Sequence, residues 1–118
     1  MAQRILSISY DELLLMTRQL LLEDAGFKVT SALGFVRGLQ ECSAGKFDLV
    51  IIGHSIPRTE KQSLLQAVRH NCDAPVLLLC KPTEDALLGA DYSIDSIEPD
   101  SVLKAVRQIL KSGRKRAA

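Results

Sequence analysis

Phe47-Asp48-Leu49-Val50-Ile51-Ile52-Gly53-His54-Ser55-Ile56-Pro57 is the stretch that decides how this chain folds. From Leu49 to Ile52 every side chain is apolar and three of the four are β-branched, the composition of a strand covered on both faces. Gly53 ends the run, and the loop closes at Pro57. A strand buried on both sides belongs to a parallel sheet sandwiched between helices. In such a sheet the loop at the carboxyl end of a strand is where reacting groups and ligands sit, which makes Gly53 the position of first interest.

Working outward, short apolar runs alternate with helix-spaced patterns along the chain. Arg4 to Ile8 reads as a first strand, with Ser9 capping a helix that runs to about Asp24 and stops at Gly26. Phe27 to Ser31 reads as a second strand, followed by a helix from Leu33 to Ser43 that Gly34 and Gly38 weaken. Past Pro57 a helix from Glu60 to Asn71 buries Leu64, Leu65 and Val68, and Pro75 to Leu79 is the fourth strand. Between Cys80 and the next strand there is room for little more than a helical stub, Thr83 to Leu88. Ala90 to Ile94 is a fifth strand, and Pro99 to Lys111 a last helix that begins with proline. Strands joined through helices pair in parallel by right-handed crossovers, so the expected fold is a flavodoxin-like, three-layer α/β sandwich on a five-stranded parallel sheet, with the fourth helix shortened or absent.

The 118 residues suit one domain, 1–112, followed by a basic tail, 113–118. No apolar run approaches the roughly 20 residues of a membrane span, and Met1 to Arg4 enter a strand without room for a leader, so a cytoplasmic protein is expected. Cys42, Cys72 and Cys80 are odd in number and widely spaced, which reads as buried small residues and neither a disulfide framework nor a metal site. His54 and His70 lack neighbours at ligand spacing, and no metal or other cofactor is expected. The net charge of +1 conceals a mildly acidic body, because Lys111, Arg114, Lys115 and Arg116 gather at one end. No groove-reading motif accompanies those cations, so nucleic acid is not the expected partner.

Taken in register, these elements resemble the receiver domain of bacterial response regulators over nearly the whole chain. The resemblance rests on Ile5-Leu6 opening the first strand, Ala25-Gly26-Phe27 before the second, Phe47 to Ile52 closed by Pro57, Ala74-Pro75-Val76-Leu77-Leu78-Leu79 as the fourth, and Gly89-Ala90-Asp91-Tyr92 entering the fifth. In that family an aspartate ending the third strand accepts a phosphoryl group, with a magnesium ion held between it and an acidic pair after the first strand. A hydroxyl residue ends the fourth strand, and a lysine followed by proline ends the fifth.

Here the acidic pair falls on Ser9 and Tyr10, the acceptor on Gly53, the hydroxyl residue on Cys80, the lysine on Asp95 and the proline on Ser96. Hydroxyls are poor substitutes for the carboxylate oxygens a hard cation takes. Glycine offers no nucleophile. Asp11 and Glu12 lie close by, at a helix start that carboxylates favour electrostatically. The resemblance therefore implies a pseudo-receiver, a signalling domain of the two-component or phosphorelay type that acts by protein contact without phosphorylation or catalysis.

Tyr92 holds the position of the family's switch aromatic and is expected to pack or to touch a partner. On the first helix Leu13, Leu14, Thr17, Leu20 and Leu21 share the face assigned to the sheet, which leaves Leu15, Arg18 and Leu22 as an outward surface for a partner. Lys104, Arg107 and Lys111 form a basic strip outside the last helix that would suit an acidic protein surface. The implied partners are a histidine kinase, another regulator or an effector, with a second copy of the chain as a further candidate. A competing reading makes the strand-end pocket near Ser9, Gly53 and Cys80 a small-ligand or redox site.

Overall fold

The computed structural model describes residues 3–80, 91–94 and 98–111. The expected stub at Thr83–Leu88, the start of the last strand at Ala90, the positions Asp95 and Ser96, and the basic tail lie outside the described residues. Along the chain come β1 (Arg4–Ser9), α1 (Glu12–Asp24), β2 (Lys28–Leu33), α2 (Phe35–Ala44), β3 (Leu49–Ile52), α3 (Arg58–Asn71), β4 (Val76–Leu79), β5 (Tyr92–Ile94) and α4 (Pro99–Lys111).

The strands pair in parallel in the order β2-β1-β3-β4-β5. From β1 the chain crosses to one side to form β2, and from β3 to the other side to form β4, so the loops after β1 and β3 diverge and leave a crevice between them. That crevice is where Gly53 ends its strand.

Alternation along the strands sorts the core into two layers. Ile5, Leu49, Ile51, Leu77 and Leu79 point to one face, where they meet Leu22 of α1 and Val102, Val106, Ile109 and Leu110 of α4. Leu6, Ile8, Val50, Ile52, Val76 and Leu78 point to the other, against Cys42 of α2 and Leu64, Leu65 and Val68 of α3. All four residues of β3 and of β4 are buried, as a strand covered on both sides requires. At about 1.5–3 kcal/mol for each large apolar side chain removed from water, these two layers supply the main drive to fold. Gly38 has a packing reason: a Cβ there would lie 3.1 Å from the Ile8 side chain, so glycine lets α2 approach β1 closely.

Three expectations are corrected. Ser9 is the last residue of β1, and the N-cap of α1 is Asp11, whose carboxylate accepts the Leu14 N–H at 3.1 Å. Cys42 and Cys72 form a disulfide, because α2 and α3 pack side by side and bring two residues 30 apart in sequence to a Cα separation of 6.2 Å. The third correction concerns α1, which is turned the other way round. Leu15, Arg18 and Leu22 are its buried residues, while Leu13, Met16 and Leu20 are exposed. They therefore cannot form an outward partner surface. Apolar residues occur all round this helix, so burial of hydrophobic area alone does not choose a face, and the face that is buried also carries Arg18.

At the other end of α1, Gly26 adopts φ of +100°, a conformation that glycine alone takes at no steric cost. Its N–H and that of Phe27 return to Glu23 and Leu22, closing the helix before β2.

Candidate functional site

The site is built where β1 and β3 end side by side. The Gly53 N–H donates to the Ile8 carbonyl at 2.9 Å, which fastens the end of β3 to β1 and presents the next residues over Ser9. Ser9 is fully buried, and its hydroxyl lies 2.9 Å from that of Ser55, either able to donate. The Asp11 N–H donates to Ser9 Oγ at 3.1 Å and the Tyr10 N–H to Ser55 Oγ at 3.3 Å. Two serines thus tie the loop after β1 to the loop after β3 with neutral hydrogen bonds.

Tyr10 turns away from this crevice and donates its hydroxyl to Glu60 Oε1 of α3 at 2.7 Å. Partial burial, the hydrogen bond to Glu60 and the charge of that carboxylate push the phenol up to about 12, because each disfavours a second negative charge. The pair latches the first turn of α3 to the loop after β1.

Arg18 reaches into the crevice from α1. It is only 4% exposed, and its Nη2 donates to His54 Nδ1 at 3.1 Å, which places the proton of a neutral His54 on Nε2 because a guanidinium can only donate. Its Nη1 stands 2.9 Å from where a Cβ on Gly53 would lie. Gly53 is absent from the residues of positive φ, so its backbone does not demand glycine. The space demands it. Burial lowers the hold of Arg18 on its proton, and the nearby charge of Asp11 opposes that effect; a guanidinium stays cationic under such shifts.

Lys61 is a second buried cation that the sequence reading did not single out. It lies in the first turn of α3, is fully buried, and donates to the Leu79 carbonyl at the end of β4 at 3.2 Å. Its signal was periodicity: Lys61 falls three and four residues before Leu64 and Leu65, on the face already assigned to the core. The same spacing links Arg18 to Leu15 and Leu22.

Of the other positions singled out, Cys80 directly follows β4, is 3% exposed and donates its N–H to the Ile94 carbonyl at 2.9 Å. It takes no part in the disulfide. Tyr92, 37% exposed, lines an open groove of about 210 Å³ between β5 and α4 with Leu77, Ser93, Ile94 and Ile109. Lys104, Arg107 and Lys111 are all exposed on α4. Ser9, Tyr10, Gly53 and Cys80 thus all lie at the carboxyl edge of the sheet; Asp95 is outside the described residues. Among the described residues no group of three His, Cys, Asp or Glu side chains could hold a metal ion. No described helix is long and apolar enough to cross a membrane.

No family model and no curated protein matches the sequence. Solved structures do match. A CheY-like response regulator receiver domain protein from Methanospirillum hungatei superimposes with a TM-score of 0.81 at 23% identity, over 98% of this chain and 99% of that one. The chemotaxis protein CheY4 of Vibrio cholerae superimposes with 0.78 at 21% identity, over 93% and 100%. The fold is that of response-regulator receiver domains. Another receiver-fold match is a structure of the histidine kinase ThkA in complex with the response regulator protein TrrA, with a TM-score of 0.77 at 21% identity over 92% of this chain and 98% of that one. With the receiver fold in hand, the strand order and the crevice at Gly53 are explained together, since that fold opens its crevice at the switch between β1 and β3.

Proposed function

We propose that this chain is a pseudo-receiver, a signalling domain that keeps the receiver fold and acts through protein contact without being phosphorylated. One observation carries the reading: at the acceptor position Gly53 has no side chain, and the atom closest to where its Cβ would lie is the cationic Arg18 Nη1, at 2.9 Å. Phosphoryl transfer to a receiver requires a nucleophilic carboxylate and a divalent cation gathered by acidic oxygens. This crevice instead presents two serine hydroxyls, a neutral imidazole and a buried guanidinium that repels a metal ion.

Function then falls to the surface. Leu13, Met16 and Leu20 are 72%, 57% and 67% exposed and recur at helical spacing along the outer side of α1. Three large apolar side chains in one stripe suit the groove of a helical partner. That a response regulator protein of the same fold was solved with a histidine kinase supports a kinase, a regulator or an effector as the class of partner. The domain would be cytoplasmic, without catalytic activity, and controlled by its amount and by competition for the partner.

The test is an amide NMR titration with beryllium fluoride and magnesium, a phosphoryl mimic. The expected result is no magnesium-dependent change in the spectrum. Saturable, magnesium-dependent shifts around Gly53 would overturn the reading.

A further inference from the structure

Arg18 carries more than the absence of a phosphorylation site. It is buried, yet its Nη1 has no hydrogen-bond partner among the described residues, and no carboxylate is bonded to it there. The acidic group that acts on it, Asp11, does so through space, while the Asp11 carboxylate accepts the Leu14 N–H as helix cap. Among the described residues the other groups at this end of the sheet are His54, which accepts from Nη2, the hydroxyls of Ser9 and Ser55, the Tyr10–Glu60 pair, which is bonded to itself, and the buried Lys61, which donates to the Leu79 carbonyl. A guanidinium held out of water with an open N–H and no bonded counter-charge is costly, and the matching partner for it is a carboxylate.

We propose that the crevice has reversed its sign and is an anion-receptive site, in which the open Nη1 of Arg18 takes a carboxylate at the position of Gly53. The geometry is specific, because that nitrogen stands 2.9 Å from the ideal Cβ position while the other close neighbours there are the Ile8 carbonyl at 3.1 Å and Ser9 Cβ at 3.4 Å. The group nearest the new atom is thus the flexible end of a cationic side chain, able to shift and pair. The inference concerns the crevice alone and stands apart from docking on α1.

Gly53→Asp delivers the carboxylate on the chain itself, and Gly53→Ala delivers the same Cβ without charge, so steric cost is common to both. Gly53→Asp is expected to melt about 5 °C above Gly53→Ala. Its new carboxyl, followed by carbon-detected NMR, is expected to titrate at least one unit below the ordinary aspartate value of about 3.9. Arg18→Gln in the Gly53→Asp background should return that titration to the ordinary range, and magnesium chloride should leave the Gly53→Asp spectrum unchanged. The proposal is overturned if the carboxyl titrates at or above the ordinary value, if Arg18→Gln leaves a lowered titration in place, if magnesium gives saturable shifts, or if Gly53→Asp melts below Gly53→Ala or does not fold where Gly53→Ala does.

Discussion

α1 and α4 lie side by side on one face of the sheet and bury opposite kinds of surface. α4 sends Val102, Val106, Ile109 and Leu110 inward and keeps Lys104, Arg107 and Lys111 in water. α1 sends Leu15, Leu22 and a guanidinium inward and leaves Leu13, Met16 and Leu20 in water. Where apolar and charged residues segregate, burial of hydrophobic area orients a helix unaided. Where apolar residues surround the helix, the rotations differ little in buried area, and one specific contact can decide. In α1 the buried face is the one that sets Arg18 against Gly53 and His54.

The comparison breaks first at the apolar layer. Val106→Asp in α4 and Leu22→Asp in α1 place an unpaired carboxylate in the same core layer, and each should cost more than about 4 kcal/mol, read as loss of the cooperative transition in urea. If α1 were turned as its apolar pattern suggests, Leu22→Asp would be nearly silent. Arg18→Ala comes next, at about 1–3 kcal/mol in the same assay, because it empties the space over Gly53 and strips the long side chain's packing. A loss below about 0.5 kcal/mol would place Arg18 on the surface.

A smaller effect is expected from the outer stripe. Leu13→Ser with Leu20→Ser should change stability by less than about 0.5 kcal/mol and yet abolish binding to a partner that docks on α1, measured by calorimetry on the double variant. The subtlest test is alkaline. Tyr10 holds its proton up to about 12 in the folded state against an ordinary value of 10.0, so its contribution is fully present below pH 10 and is lost as pH rises from 10 toward 12. Absorbance at the tyrosinate band should show a late-titrating phenol that Tyr10→Phe removes; a Tyr10 phenol that titrates near 10 would mean the Tyr10–Glu60 latch is open.

Much of this architecture was legible because parallel α/β order is written in local pattern. Leu49–Ile52 and Val76–Leu79 are continuous apolar runs, and both proved to be central strands buried on each face. Gly26 marked a helix end and Pro99 a helix start, and both did so. The position of Gly53 at the crevice was legible for the same reason, since the glycine directly follows a buried strand. Less legible was the pairing of Cys42 with Cys72, which depends on how α2 lies against α3 and has no signature in cysteine spacing. Lys61 was missed because charged residues are seldom fully buried, and Arg18 was read with Leu15 and Leu22 as an outward partner surface, whereas that face of α1 is the buried one.

The sequence by itself determined the order of strands and helices, the strand that ends at Gly53 and the lack of an acid at Ser9, Tyr10 and Gly53, because these follow from side-chain type and spacing along the chain. Only the tertiary structure decided what took the acid's place. Gly53 and Arg18 are 35 residues apart and meet solely because β3 ends beside β1 with α1 packed over that end. A glycine in sequence reads as something lost. In three dimensions it is the room that a guanidinium occupies, since without a Cβ the backbone lets Nη1 approach to a distance no other residue would allow.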